Sequence, residues 1–177
     1  MVITDLNRRI EVARACVRAV AGEACPPVLK PAPIEPVRLI PDQTSFAYPD
    51  RTTGISRGHA EGDIWDLIAT IGHEHFHHQR GDCFSSGSER EMEVRADYVG
   101  GKIRDVVRGL GVPANAELIY LSGMKGSRRV LTQQEVEHSY REGLTLRGME
   151  SSLAEEAARE ISASLAEAKM GIVERTS

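Results

Sequence analysis

Aromatic residues are scarce: Phe, Trp and Tyr together make up 5% of 177 residues. Aliphatic side chains must therefore build most of any core. There is no run of 18 apolar residues, so no membrane-spanning helix is expected. There is no basic excess either. The formal charge is −4 and the pI about 5.9, which argues against a nucleic-acid partner, since such proteins concentrate Lys and Arg on one face. Cysteines are three, Cys16, Cys25 and Cys83. That odd number without metal-ligand spacing reads as free thiols of a reducing cytoplasm. The opening residues, MVITDLNRRIEVARACVRAV, carry charges through their apolar positions and make a poor signal peptide. A cytoplasmic location is the expectation. Internal repeats and low-complexity runs are lacking as well.

What is present suffices for one domain with a modest extension: 41% hydrophobic and 27% charged residues. Leu6, Ile10, Ala13, Val17 and Val20 recur at helical spacing in the first 25 residues. Pro26, Pro27, Pro31, Pro33 and Pro36 then forbid regular structure, making 26–36 a linker or extended arm. VRLI (37–40), SFAY (45–48) and TTGIS (52–56) read as strands of a small antiparallel sheet. Helices are expected over 62–81, over 88–111 with a Ser88/Glu91 capping box, and over 133–142 behind a Thr132/Glu135 box. A last amphipathic helix over 150–170 carries Leu153, Ala157, Ile161 and Leu165 on one face. That stripe must be buried. It could complete the core, form a homodimer contact, or lie over a cleft as a latency lid. The fold class is α+β.

Residues 73–78 read HEHFHH, which places four of the six histidines in six positions. At about 100° per residue these four separate. His73 and His77, one turn apart, fall on the narrow polar arc with Asp66 and Thr70, and Glu74 borders it. His75 falls in the middle of the apolar arc and reads as a buried histidine. His78 falls at its edge, as a helix-end residue favoured by the C-terminal dipole. HEHFH thus fits H-E-x-x-H on a helix, where two imidazoles share one zinc and the glutamate acts on its water.

A catalytic zinc takes a third protein ligand. If 81–88 is a tight loop, the flanking helices form an antiparallel hairpin, and facing positions sum to a constant. His77 then faces Glu93 and His73 faces Asp97. Small residues, Ala96 and Gly100, would let the helices approach closely. Glu93 is the expected third ligand. Asp97 is expected to accept the second ring N–H of His73 and fix its tautomer.

HEHFH followed by EVRAD resembles the gluzincin clan of zinc metallopeptidases, whose pattern is H-E-x-x-H and a downstream Glu-x-x-x-Asp. SEREMEVRAD is also similar to the glutamate helix of the HtpX and CAAX-prenyl protease group. The short gap from His77 to Glu93 and the lack of a membrane span bring the chain closer to the small minigluzincins or the ImmA/IrrE-like peptidases. The latter carry Asn where Asp97 stands. The resemblance spans only 25 to 35 residues. It implies His73, His77 and Glu93 as zinc ligands, Glu74 as general base, and Asp97 as supporting carboxylate. It also implies a zincin-like catalytic core, placed at 37–125; the N-terminal helix (1–25), the proline-rich arm (26–36) and a C-terminal helical segment over 126–177 come in addition to it, all expected within one compact domain.

The function expected from this is zinc-dependent endopeptidase activity on a peptide or protein substrate, with no nucleic acid or membrane as partner. Zinc would polarise the scissile carbonyl, and Glu74 would carry the proton from water to the leaving amine. A strand such as TTGIS would offer its edge to an extended substrate. Candidate donors to the oxyanion are His138, Tyr140, Arg141 and Tyr98. Two other readings stand beside this one: a metal-binding regulatory or interaction module with little turnover, and a metallohydrolase acting on something other than peptides.

Overall fold

The computed structural model describes residues 3–24, 36–82 and 87–176. The chain divides into two compact units, Ile3–Val107 and a second that begins at Arg108. The class is α+β, as expected from the sequence.

The first unit opens with α1 (Leu6–Ala24), whose buried face includes Ile10, Ala13, Val17 and Val20, the positions that recur at helical spacing. This face packs on α3 and on β1. Cys16 lies fully buried on the same helix, and burial pushes its thiol pKa up to about 12. Cys25, Cys83 and the proline-rich arm up to residue 35 fall outside the described residues.

Three short strands follow, β1 (Val37–Ile40), β2 (Phe46–Ala47) and β3 (Thr53–Ser56), in the order β1-β3-β2. The sheet is mixed, not purely antiparallel. β1 runs parallel to β3, with Val37 opposite Thr53 and Ile40 opposite Ser56, while β2 is antiparallel to β3. All four residues of β3 are buried, which suits a central strand. Both edges of β3 are therefore taken, and it cannot offer one to a substrate; β2 is the edge strand next to α3.

A five-residue helix not anticipated from the sequence, α2 (Arg57–Glu61), comes next. Ser56 caps it by accepting from the His59 N–H. The buried Arg9 guanidinium donates to the Ala60 carbonyl at 2.6 Å, which ties α2 to α1. Helix α3 (Ile64–Arg80) begins at Asp63, whose carboxylate accepts from Trp65 N–H, and ends at Gly81 in the left-handed region. Its apolar arc, with Ile64, Leu67, Ile68 and Ile71, is buried. His75 is buried with it, as its wheel position requires. His78 does more than end the helix: its Nε2 lies 3.1 Å from both Thr53 Oγ1 and the Thr52 carbonyl, binding α3 to the central strand.

Helix α4 (Glu89–Gly109) meets α3 at two glycines. A Cβ on Gly72 would lie 3.3 Å from the Gly100 Cα, and one on Gly100 would collide with the Ala69 carbonyl oxygen and sit 3.2 Å from the His73 nitrogen.

The second unit holds β4 (Ala116–Tyr120), α5 (Gln133–Leu146), α6 (Ser151–Glu167) and β5 (Met170–Glu174). β4 pairs antiparallel with β5, Ala116 opposite Glu174. These strands went unread in the sequence, and both lie in the unit that begins at Arg108. The Thr132/Glu135 capping box is present on α5. The α6 stripe of Ala157, Ile161 and Leu165 is buried within this unit, where α6 packs on α5 and β5. Of the three roles open to that helix, core completion accounts for the stripe. No helix among the described residues is long and apolar enough to cross a membrane.

The α3–α4 contact yields a prediction. Gly100→Ala should gain helix propensity worth about 1 kcal/mol, yet the new methyl meets backbone that cannot rotate away. A net destabilisation of about 1–3 kcal/mol is expected from urea unfolding, together with weaker metal binding. Unchanged stability would show that the helices separate freely.

Candidate metal centre

Spacing on α3 puts His73 and His77 one turn apart, and α4 brings Glu93 against both. His73 Nε2 lies 3.1 Å from one Glu93 oxygen and His77 Nε2 lies 3.2 Å from the other. The two Nε2 atoms are 2.9 Å apart, with the rings edge to face. One ligand atom from each of the three residues falls within 4.8 Å of the others. The antiparallel register deduced from the sequence is the one present: His77 meets Glu93, and His73 meets Asp97.

The far side of each ring decides what the near side can do. His73 Nδ1 is 2.8 Å from Asp97 Oδ1, and His77 Nδ1 is 2.8 Å from Asp82 Oδ2. A carboxylate can only accept there, so each Nδ1 carries the proton and donates. With that proton placed, a neutral ring offers its Nε2 lone pair inward. Two nitrogen lone pairs and two carboxylate oxygens converge on one point, an arrangement that repels unless a cation or a proton stands among them. Two imidazoles and a carboxylate make a donor set that could hold a divalent metal ion. Ligands about 2.0–2.1 Å from a tetrahedral metal lie ~3.3 Å apart, so the rings need part only by tenths of an ångström. The residues fit the ion.

Asp82 was missed in the sequence. It follows Gly81, and the left-handed turn there brings the chain back beside the last turn of α3. An acid just past the helix-ending glycine was the available signal. The partners of the two rings differ in environment. The Asp82 side chain is 7% exposed and that of Asp97 is 76% exposed.

Glu74 is buried beside the ligands. Burial chiefly, then the Glu93 charge and more weakly Asp97, push its pKa up to about 8, against a hydrogen bond from the Ala47 backbone on β2. A divalent cation held by Glu93 would cancel the second cause and lower the value.

These residues share an open cleft of about 790 Å³, walled by β2, α2, α3 and α4. Phe46, Ala47, His59 and Met92 line it with the acids of the centre, and no Lys or Arg does so among the described residues. Of the four expected oxyanion donors, Tyr98 alone belongs to the first unit. Tyr98 is exposed on α4 and does not line the cleft. Tyr140 is fully buried in the second unit, and its hydroxyl donates to the Arg108 carbonyl. His138 and Arg141, also of the second unit, bond each other at 2.9 Å on α5.

Comparison with protein families, curated proteins and solved structures finds no match.

The chain should bind one divalent metal ion, and His73→Ala, His77→Ala or Glu93→Ala should each abolish tight binding, read by metal titration. Asp82→Asn and Asp97→Asn should each weaken it, within about 10- to 100-fold, with the enclosed Asp82 the more costly. Equal or inverted losses would mean that burial of the carboxylate does not set its contribution. His75→Ala should keep one metal ion per chain.

Proposed function

We propose that the chain is a zinc-dependent endopeptidase of the gluzincin type. The observation that carries this reading is a buried glutamate, Glu74, set beside a converging His73–His77–Glu93 donor set inside an open cleft. A site that only held structure together would have no need of such a base, and a closed set of four ligands would serve it better.

Zinc at this centre supplies Lewis acidity, polarising a carbonyl and making water acidic near neutral pH. The protein's own groups do the rest. His73, His77 and Glu93 hold the ion, while Asp97 and Asp82 fix the tautomers that let both rings bind it. Glu74 accepts a proton from the attacking water at its carboxylate and passes it to the leaving nitrogen. The Ala47 N–H steadies that carboxylate in its charged form. The edge strand β2 forms one wall, and an extended peptide lies along it, with Phe46, 45% exposed, offering an apolar contact.

The buried base likewise favours turnover over a purely regulatory metal module. A non-peptide substrate is separated from a peptide one by direct assay. The zinc-loaded full chain should cleave a peptide library and lose that activity to chelator. Glu74→Gln should keep zinc and fold yet lose about 100- to 10,000-fold in kcat. Cleavage at the wild-type rate by Glu74→Gln would remove the base from the mechanism. A loaded wild-type chain that cleaves no peptide would reject the peptidase.

A further inference from the structure

A carbonyl that gathers negative charge needs a hydrogen-bond donor placed in advance. The centre itself has little left to give. Both Nδ1–H groups are spent on Asp97 and Asp82. The Thr70 hydroxyl, also in the cleft wall, is spent on the Asp66 carbonyl at 2.8 Å. No Lys, Arg, Tyr, Trp, Asn or Gln lines the cleft among the described residues.

His59 does line it, from α2. For an exposed histidine it is held with unusual care. Its Nδ1 is 2.6 Å from Ser45 Oγ, and Ser45 Oγ accepts from the Ser56 N–H at 3.0 Å. Ser56 Oγ in turn accepts from the His59 N–H, so backbone and ring are locked by one short network. Arg9 anchors the same helix at Ala60. Ser45 is buried, and its hydroxyl proton has one acceptor among the described residues, His59 Nδ1. With the hydroxyl donating to the ring, which gives its buried proton an acceptor, a neutral His59 carries its own proton on Nε2. That N–H makes no bond among the described residues.

We propose that His59 is the cleft's hydrogen-bond donor to the peptide substrate, giving its Nε2–H to the carbonyl oxygen as charge develops there, with no proton transferred. This rests on the peptidase reading above. Ser45 is then a positioning residue, acting through the tautomer and orientation it imposes. A surface histidine needs neither a buried serine behind its ring nor an anchored helix beneath it. Ordering such a side chain has an entropic cost that a donor aimed at a reacting group would justify.

The test uses the full zinc-loaded chain. Long-range proton–nitrogen NMR should show His59 protonated on Nε2 and not on Nδ1, and Ser45→Ala should lose that bias. A proton on Nδ1 in the wild type overturns the proposal whether or not the chain is a peptidase. In peptide hydrolysis, His59→Ala should keep one zinc and lose about 100-fold or more in kcat, with KM changed far less. His59→Phe keeps the ring's bulk without a donor and should be as slow. Wild-type kcat in His59→Ala, or recovery in His59→Phe, assigns the ring to packing and overturns the proposal. Should His59→Ala fail to fold, the His59→Phe result decides by itself. Absence of cleavage by the wild type is a separate outcome: it removes the peptidase reading, and the proposal with it.

Discussion

Two glycines let α3 and α4 touch backbone to backbone, and the chemistry of the first unit follows from that approach. With Gly72 and Gly100 in contact, His73 and His77, one and five residues beyond Gly72, and Glu93, two turns before Gly100, share a small volume. On one helix those side chains are imidazoles, on the other a carboxylate. Their mutual repulsion would push the helices apart if nothing opposed it. What opposes it is the apolar arc of α3, buried from Ile64 to Phe76. Asp97 and Asp82 do not neutralise the centre; they add negative charge around it. Their effect is to hold each proton on the outer nitrogen and so to sharpen the demand for a cation inside.

The three-stranded sheet serves this centre as a cover. Without β2 above it, Glu74 would be one more solvated acid on a polar helix face. Under β2 it is buried, its pKa is raised to about 8, and it gains one backbone hydrogen bond. The height of that cover is set by β3, and β3 is bound to α3 through His78. The crowded HEHFHH segment thus divides its labour by angle around the helix. His73 and His77 face Glu93, His75 fills the apolar side, and His78 fixes the sheet that encloses Glu74.

How much of this was legible in the sequence depended on how local its causes are. The helices follow from the 3.6-residue recurrence of aliphatic residues, and α1, α3, α4, α5 and α6 all lie where that period runs. Glu93 and Asp97 could be placed because one short loop fixes the register of a hairpin. The misses have other causes. β4 and β5 pair across about fifty residues, and nothing in either five-residue run names its partner. The parallel pairing of β1 with β3 depends on where the intervening chain crosses, which alternation within a strand does not encode. Helix α2 is too short to show a period, so His59 had no element to sit on. Asp82 escapes a register argument because it reaches His77 from the same segment, past the turn at Gly81, and not across the hairpin.

The two outer carboxylates also give the centre a direction. A hydrogen bond between His77 and an acid that is 7% exposed is shielded from water and ions, so its geometry is held and its electrostatic pull is strong. The bond from His73 to an acid that is 76% exposed is screened, and water competes for both partners. Glu93, with its side chain 52% exposed, belongs to the same wet side. The donor set is therefore rigid at His77 and yielding toward Glu93 and Asp97. A ligand atom that must shift as an ion binds can shift most easily there, because Glu93 can exchange water contacts for metal contacts without opening a cavity. Movement of His77 would cost the buried Asp82 carboxylate its 2.8 Å bond and leave it the Arg80 guanidinium at 3.9 Å. Rigidity on one side and tolerance on the other allow one pair of helices to define a metal position closely while leaving that position open to the cleft.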